Sequence, residues 1–300
     1  MYQYYAFGYH VKSDIALPEL LPFTDQPDID EIVTITLGSV PESLTAPHEE
    51  GARFQAKTGQ LLLHVDCVAR FLIEGGTTIT IDVIDDCDED SIRLFLLGSC
   101  FGALMQQQGR FVLHGSAVVK DDTCLVFLGR SGIGKSTLAQ ALCQTGFQML
   151  SDDLCSISFE NNQALLHPAY PQNKLWPDSL DALAIESDGL RLLRPTMRKK
   201  AIPNPQNFCA SPQAISKLYV LAKSKEDRFE RELLKGALAI KALQENSYRK
   251  QYINGLGLNK PHFHQVSRTL SSGIAVEVVS RPDHLSRLSE LVDLIRGIDL

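Results

Sequence analysis

Three groups of residues in this 300-residue chain carry types and spacings suited to chemistry. The first is GRSGIGKST, residues 129–137, which fits G-x-x-x-x-G-K-[ST] with Gly129, Gly134, Lys135 and Ser136 at the fixed places. Glycines let the backbone turn tightly and bring N–H groups against phosphate oxygens. The N-terminus of a following helix adds partial positive charge. Lys135 is then placed to neutralise the β and γ phosphates of ATP, and the Ser136 hydroxyl to ligate Mg²⁺. Gly129, Arg130, Ser131, Gly132, Ile133, Gly134, Lys135, Ser136 and Thr137 are therefore the expected nucleotide-binding residues. The second group is Asp152-Asp153, 17 and 18 residues after Lys135. That spacing admits one short helix and one strand, so the pair is expected at the C-terminal end of a strand beside the phosphate-loop strand. One carboxylate there can hold the metal, and the other can accept the proton of an attacking hydroxyl. The third group is RLLRPTMRKK, residues 191–200, with five bases and no acid. A solvated face and an anion site account for such a run equally well.

Other candidates are weaker. His114, read alone, is a buried histidine rather than a site residue. His262-x-His264 lacks a spaced third metal ligand. Asn173-Lys174-Leu175-Trp176 has the first half of a GTPase base-reading motif and lacks its aspartate, and no Asp-x-x-Gly follows the loop. A GTPase is set aside on those grounds.

The elements that must position these groups change character along the chain. In the first hundred residues YYAFGYHV, IVTITLGSV, QLLLHVDCV and TTITIDVI read as strands, with Gly75-Gly76 as a hairpin turn. IALPELLPF (15–23) is expected to be a packed loop, and 91–107 a buried helix stopped by Gly109. FVLHGSAVV (111–119) and TCLVFLG (123–129) read as paired strands, the second running into the phosphate loop. A helix over 136–144 and a strand over 147–150 follow, the strand ending at Ser151-Asp152-Asp153. Residues 160–215 read as proline-rich and irregular, 215–224 as a strand, and 226–244 as helical. After a strand in 271–282, Asp283 is expected to cap a last helix that carries Leu285, Leu288, Leu291, Val292 and Ile295 on one face.

Composition narrows the class. Hydrophobic residues at 44% and charged residues at 22% suit a folded globular chain. A net charge of −7 argues against a general nucleic-acid binder. Residues 82–90 hold six acids and read as a solvated face. The seven cysteines contain no C-x-x-C, which points to reduced thiols and a cytoplasmic protein. The N-terminal residues do not read as a signal peptide, and no apolar run is long enough to span a bilayer, so no membrane partner is expected.

LHGSAVV, GRSGIGKST, the helix ending in QTGF, and LSDD, residues 113–153, resemble the HPr kinase/phosphorylase group of bacterial protein serine kinases, related in fold to phosphoenolpyruvate carboxykinase. His114 stands 21 residues before Lys135 and Asp153 stands 18 after it, similar to the family spacing. The resemblance implies an α/β chain with an HPr-kinase-like P-loop kinase core and a mixed sheet over 109–300; residues 1–108 read from their own strands as a β-rich N-terminal domain, unlike the family's usual one. It implies Asp153 as catalytic base with Asp152 as partner, His114 as a site residue, and Ser136, Asp152 and Asp153 around Mg²⁺. RKKAIPN resembles the family's basic strand, which implies Arg198 and Lys199, with Lys135, as cations on the transferring phosphoryl group. The family's glutamate metal ligand in an EIRG-type segment has no counterpart; the region reads HPAYPQNKLWPDS, with Asp178 the nearest acid. A reverse phosphorylase activity is accordingly not implied. FGYHVKSDIALPELLP is similar to the smaller HPr-kinase-like proteins encoded with ribosomal peptide products, among them the lasso-peptide kinases. That likeness implies a Mg-ATP-dependent kinase acting on the C-terminal serine of a precursor peptide, or on a small protein acceptor, and the superfamily implies a homo-oligomer. HPr itself, a small-molecule acceptor, and a non-catalytic nucleotide-binding regulator are the alternatives.

Overall fold

The computed structural model describes residues 1–24, 29–224 and 226–298. It is a mixed α/β chain that divides into two compact units, Met1–Val112 with Ser247–Val266, and Leu113–Asn246 with Ser267–Leu300. Residues 247–266, expected in the second domain, thus group with the first.

The first unit is built on one nine-stranded sheet. Its strands are β1 (Tyr2–Ala6), β2 (Tyr9–Ser13), β3 (Leu21–Pro22), β4 (Ile32–Leu37), β5 (Glu49–Gly51), β6 (Phe54–Lys57), β7 (Gln60–Val65), β8 (Ala69–Glu74) and β9 (Thr78–Val83), in the order β3-β1-β2-β4-β9-β8-β7-β6-β5. Alternation dictates this use: in β8 Ala69, Phe71 and Ile73 are buried while the residues between them are half-exposed. The hairpin at Gly75-Gly76 forms, both residues having positive φ. Residues 15–23 pack as expected, with Leu17 and Leu20 buried. The predicted helix forms as α1 (Glu89–Phe95) and α2 (Phe101–Gln107), joined by a π-helical turn at Leu96–Cys100. It starts earlier than expected because Asp88 caps it, accepting from the Ser91 N–H at 2.8 Å.

The second unit starts from β10 (Phe111–Lys120) and β11 (Thr123–Leu128), an antiparallel pair. Then come α3 (Lys135–Cys143), β12 (Gln148–Glu160), β13 (Gln163–His167), β14 (Gln172–Leu175), α4 (Pro177–Ala182), β15 (Leu192–Arg194), β16 (Met197–Pro203), β17 (Gln213–Lys223), β18 (Glu230–Leu234) and α5 (Ala237–Glu245). α6 (Lys250–Gly255) and most of α7 (Asn259–Ser271) belong to the first unit, and β19 (Ala275–Arg281) and α8 (Leu288–Arg296) return to the second. The larger sheet runs β11-β10-β12-β13-β17-β19-β18, and β11 also pairs with β17 in parallel, which closes five of its strands into a ring. A smaller sheet, β14-β16-β15, occupies the segment read as irregular.

Four expectations are corrected. The strand expected to stop at the Asp pair runs through it to Glu160, because the residues beyond pair with β13 from Ser156 to Glu160. That strand does not neighbour β11; β10 lies between them. The helix expected over 226–244 is β18, paired antiparallel with β19, followed by α5. Asp283 does not cap the last helix; it accepts from Lys223 Nζ, and a 3₁₀ turn at Leu285–Arg287 leads into α8. The apolar face of α8 is as predicted where Leu291, Val292 and Ile295 are buried against Leu138 and Leu142 of α3 and the sheet residues Phe127, Tyr219 and Val279.

Candidate active site

The phosphate loop leaves β11 at Gly129 and enters α3 at Lys135, all within the second unit. Gly129 has φ +135, and a Cβ there would stand 2.9 Å from the Leu221 carbonyl oxygen of β17. Gly134 has φ +101, and its Cβ would meet the Arg281 guanidinium at 3.0 Å. Glycine is required at both places by conformation and by contact. Gly129→Ala should cost about 1–3 kcal/mol of stability, to be read from denaturant unfolding. Arg130, Ser131 and Gly132 form the exposed crest of the loop, and Ile133 is buried beneath it.

Two cations brace this loop from inside. Lys135 is buried and donates from Nζ to the carbonyls of Gly129 at 2.8 Å and Arg130 at 3.2 Å. Burial lowers its pKa, partly offset by Asp152 and Asp153. Arg281, also buried, donates to the Ile133 carbonyl at 2.6 Å. Thr137, expected among the nucleotide ligands, hydrogen-bonds Ser179 of α4 at 2.8 Å in the interior.

The two acids differ sharply in setting. Asp152 is 3% exposed and its oxygens are engaged by neutral donors. Oδ1 accepts from Ser116 Oγ at 2.6 Å and Ser136 Oγ at 2.8 Å, and Oδ2 from the Lys174 backbone N–H at 2.9 Å. Asp153 lies between two side chains: His114 Nδ1 is 3.1 Å from Oδ1, and Lys174 Nζ is 3.1 Å from Oδ2. The Asp153 side chain keeps 30% of its surface exposed while that of Lys174 keeps 8%. Burial opposes the charge on Asp153, but the Lys174 ammonium and the His114 ring overcome it and hold the carboxyl well below the usual range. Lys174 mirrors this. Burial opposes its charge, and Tyr170, Asp153 and Asp152 raise it above an ordinary lysine.

A backbone irregularity explains how neighbouring acids share one site. Successive strand residues normally point to opposite faces. Asp153 has φ +81, a left-handed conformation inside β12. This breaks the alternation, so Asp152 and Asp153 both reach Lys174.

The expected residues separate accordingly. The structure brings Ser136, Asp152, Asp153 and His114 together, with Lys135 close enough to feel both acids. Lys199 and Arg198 part company. In the β14–β16 register Lys174 faces Ala201, so Lys199 lies on the face of Lys174, and Arg198 lies on the opposite face with Lys200. Arg198 is exposed there and away from the acids, a correction to its expected place beside Lys199. Asp178 is exposed in the first turn of α4, outside the Asp152 cluster. Sequence reading missed Ser116, Lys174 and Arg281. Ser116 alone left a trace, two residues from His114 on a strand leading to the loop.

Among the described residues no group of three or more His, Cys, Asp or Glu is placed to hold a metal ion alone. The fit to Mg²⁺ rests on hard oxygen donors, the Ser136 hydroxyl and the Asp152 carboxylate, meeting at 2.8 Å beside a phosphate loop. That pair suits Mg²⁺, which keeps several waters and takes its other ligands from substrate phosphates.

No protein-family model matches the chain, and no curated protein matches it. Among solved structures, the Hpr(Ser) kinase/phosphatase from Coxiella burnetii is similar, with TM-score 0.35 and 16% identity, over 62% of this chain and 94% of that one. A TM-score that low leaves the functional reading to this chain's own residues. No helix among the described residues is long and apolar enough to cross a membrane.

Proposed function

We propose that this protein is a Mg-ATP-dependent kinase that transfers the γ-phosphoryl group to a serine hydroxyl. The observation that carries this reading is a partly exposed carboxylate, Asp153, paired with Lys174 in the same cluster as a phosphate loop and its Ser136–Asp152 oxygen pair. A binding module needs the loop; it does not need a second, partly exposed acid beside it.

The loop amides and Lys135 hold the triphosphate, for which Lys135 must exchange its contacts with Gly129 and Arg130 for phosphate oxygens. Ser136 and Asp152 hold Mg²⁺, which supplies charge neutralisation on the phosphates. Asp153 accepts a hydrogen bond from the incoming serine hydroxyl and aims its oxygen at the γ-phosphorus. The new bond forms between that oxygen and phosphorus, the bond to the β,γ-bridging oxygen breaks, and ADP departs with the electron pair. The serine proton passes to Asp153 and then to solvent. The proton leaves late, when the hydroxyl has become acidic, as a loose phosphoryl-transfer transition state requires. The acceptor we assign is a precursor peptide or small protein. The C-terminal serine of a ribosomal lasso precursor is the narrower form of this assignment, supported by the resemblance of the N-terminal residues.

The reading is tested with γ-labelled ATP, Mg²⁺ and serine-containing acceptors, where it expects phosphoserine; ATP binding without labelled product would reject it. Lys135→Met should weaken Mg-ATP binding by about 10- to 100-fold, the value of charge-assisted hydrogen bonds to phosphate, measured by calorimetric titration.

A further inference from the structure

The small sheet carries a feature that phosphate binding and metal binding leave unused. Trp176, the only tryptophan in the chain, is 44% exposed, although a side chain of its size normally finds cover. It follows β14 directly and has extended backbone, φ −79 and ψ 156. Lys199 of β16 places its Nζ 5.4 Å from the centre of the Trp176 ring. The β14–β16 register puts Lys199 on the same face as Lys174, whose Nζ touches Asp153. Trp176 and Lys199 therefore share the face of the small sheet from which the buried Lys174 reaches Asp153. Lys199 also lies close enough to lower the pKa of Lys135, after burial and against the two acids.

We propose that Trp176 and Lys199 form the acceptor-docking subsite of this kinase, and that its occupant is a carboxylate-bearing segment of the acceptor flanking the target serine. The inference rests on the kinase reading above and deepens it. Charge and spacing favour this occupant. This pair presents an ammonium over an aromatic face with no carboxylate paired to Lys199 among the described residues, so an acidic group complements it, its stem lying on the indole and its charge meeting Lys199. Trp176 stands two residues beyond Lys174, about 7 Å along an extended strand. An extended acceptor has the same repeat, so with its serine hydroxyl at Asp153 a residue two positions away can meet the exposed Trp176 and Lys199. The preferred acceptor therefore carries Asp or Glu two residues from the phosphorylated serine.

Because Trp176 is the sole tryptophan, its fluorescence reports occupancy without turnover. The probes are synthetic serine peptides with Glu, Gln or Lys two residues from the serine, titrated into the full chain, with Mg-ADP titrated separately. The Glu peptide should shift Trp176 emission and bind more tightly than the Lys peptide by about tenfold at low salt, the gap narrowing as salt is raised. Lys199→Glu should reverse that preference, the Lys peptide then binding more tightly than the Glu peptide by about tenfold at low salt. Equal binding of the three peptides, or emission that responds to Mg-ADP alone, would overturn the proposal, the second result making Trp176 a nucleotide platform. Weakened Mg-ADP binding in Lys199→Glu with peptide preference intact would also overturn it and return Lys199 to the phosphoryl group. Failure of the kinase reading looks different: no phosphopeptide forms with any probe, whatever Trp176 reports.

Discussion

Replacing Asp153 by Asn is expected to lower phosphoryl transfer by roughly 10²- to 10⁴-fold, the range for losing a positioned general base, while Mg-ATP still binds. The amide keeps the size of the carboxylate and can still touch His114, but it cannot take the serine proton. Ser136, Asp152 and Lys135, which serve the metal and the phosphates, keep the Ser136–Asp152 hydrogen bond and the Lys135 contact with the loop. The loss should therefore fall on kcat with little change in the KM for ATP. A parallel rise in KM would mean that Asp153 works chiefly through the metal.

Lys174→Met is expected to produce the largest loss of stability, about 3–5 kcal/mol, as for breaking a buried pair by removing one partner. Lys174 serves both acids at once. Its backbone N–H remains in the variant and still holds Asp152, so the loss isolates the ammonium. Asp153→Asn should destabilise as well, because it leaves that ammonium buried without its carboxylate. The double variant should lose less than the sum of the two, since the partners interact directly. The pH dependence follows from the directions of the two shifts. Asp153 is depressed below its unfolded value, so its contribution is complete above about pH 4–5 and fades as pH falls from there. Lys174 is raised, so its contribution is complete below about pH 10 and fades only in stronger alkali. Urea unfolding between pH 7 and 3 should show the wild-type chain losing more stability on acidification than Lys174→Met. In that variant burial is no longer opposed by the ammonium, and the site's share of the acid sensitivity disappears.

What was legible in the sequence follows from which features chemistry ties to residue type. Gly129 and Gly134 could be read because only glycine tolerates their positive φ and the close approach of Leu221 and Arg281. The Asp pair was legible as an acid pair beside the loop, since its distance from Lys135 leaves room for so little chain. Its geometry was not. Ser-Asp-Asp has turn-forming chemistry, yet long-range pairing with β13 carries the strand straight through it, and a single left-handed residue turns Asp153 towards Lys174. Propensity does not encode either event. Lys174 was hidden because its partner lies 21 residues away and its neighbourhood resembled half of a GTPase motif. The basic run was legible as charge only; strand register, not composition, separates Lys199 from Arg198. The charged stretch before α5 reads as helix locally. It forms β18 because an edge position on β19 lets it keep its charges in water, with Arg231 paired to Glu277 across the strands.

The most direct test of the central claim is product analysis after incubation of the full chain with γ-labelled ATP, Mg²⁺ and the Glu-bearing serine peptide. The account predicts one phosphate on the serine per ADP released, and almost none with Asp153→Asn. Release of ADP with the label recovered only as inorganic phosphate, or binding of ATP without turnover across all serine acceptors, would contradict it.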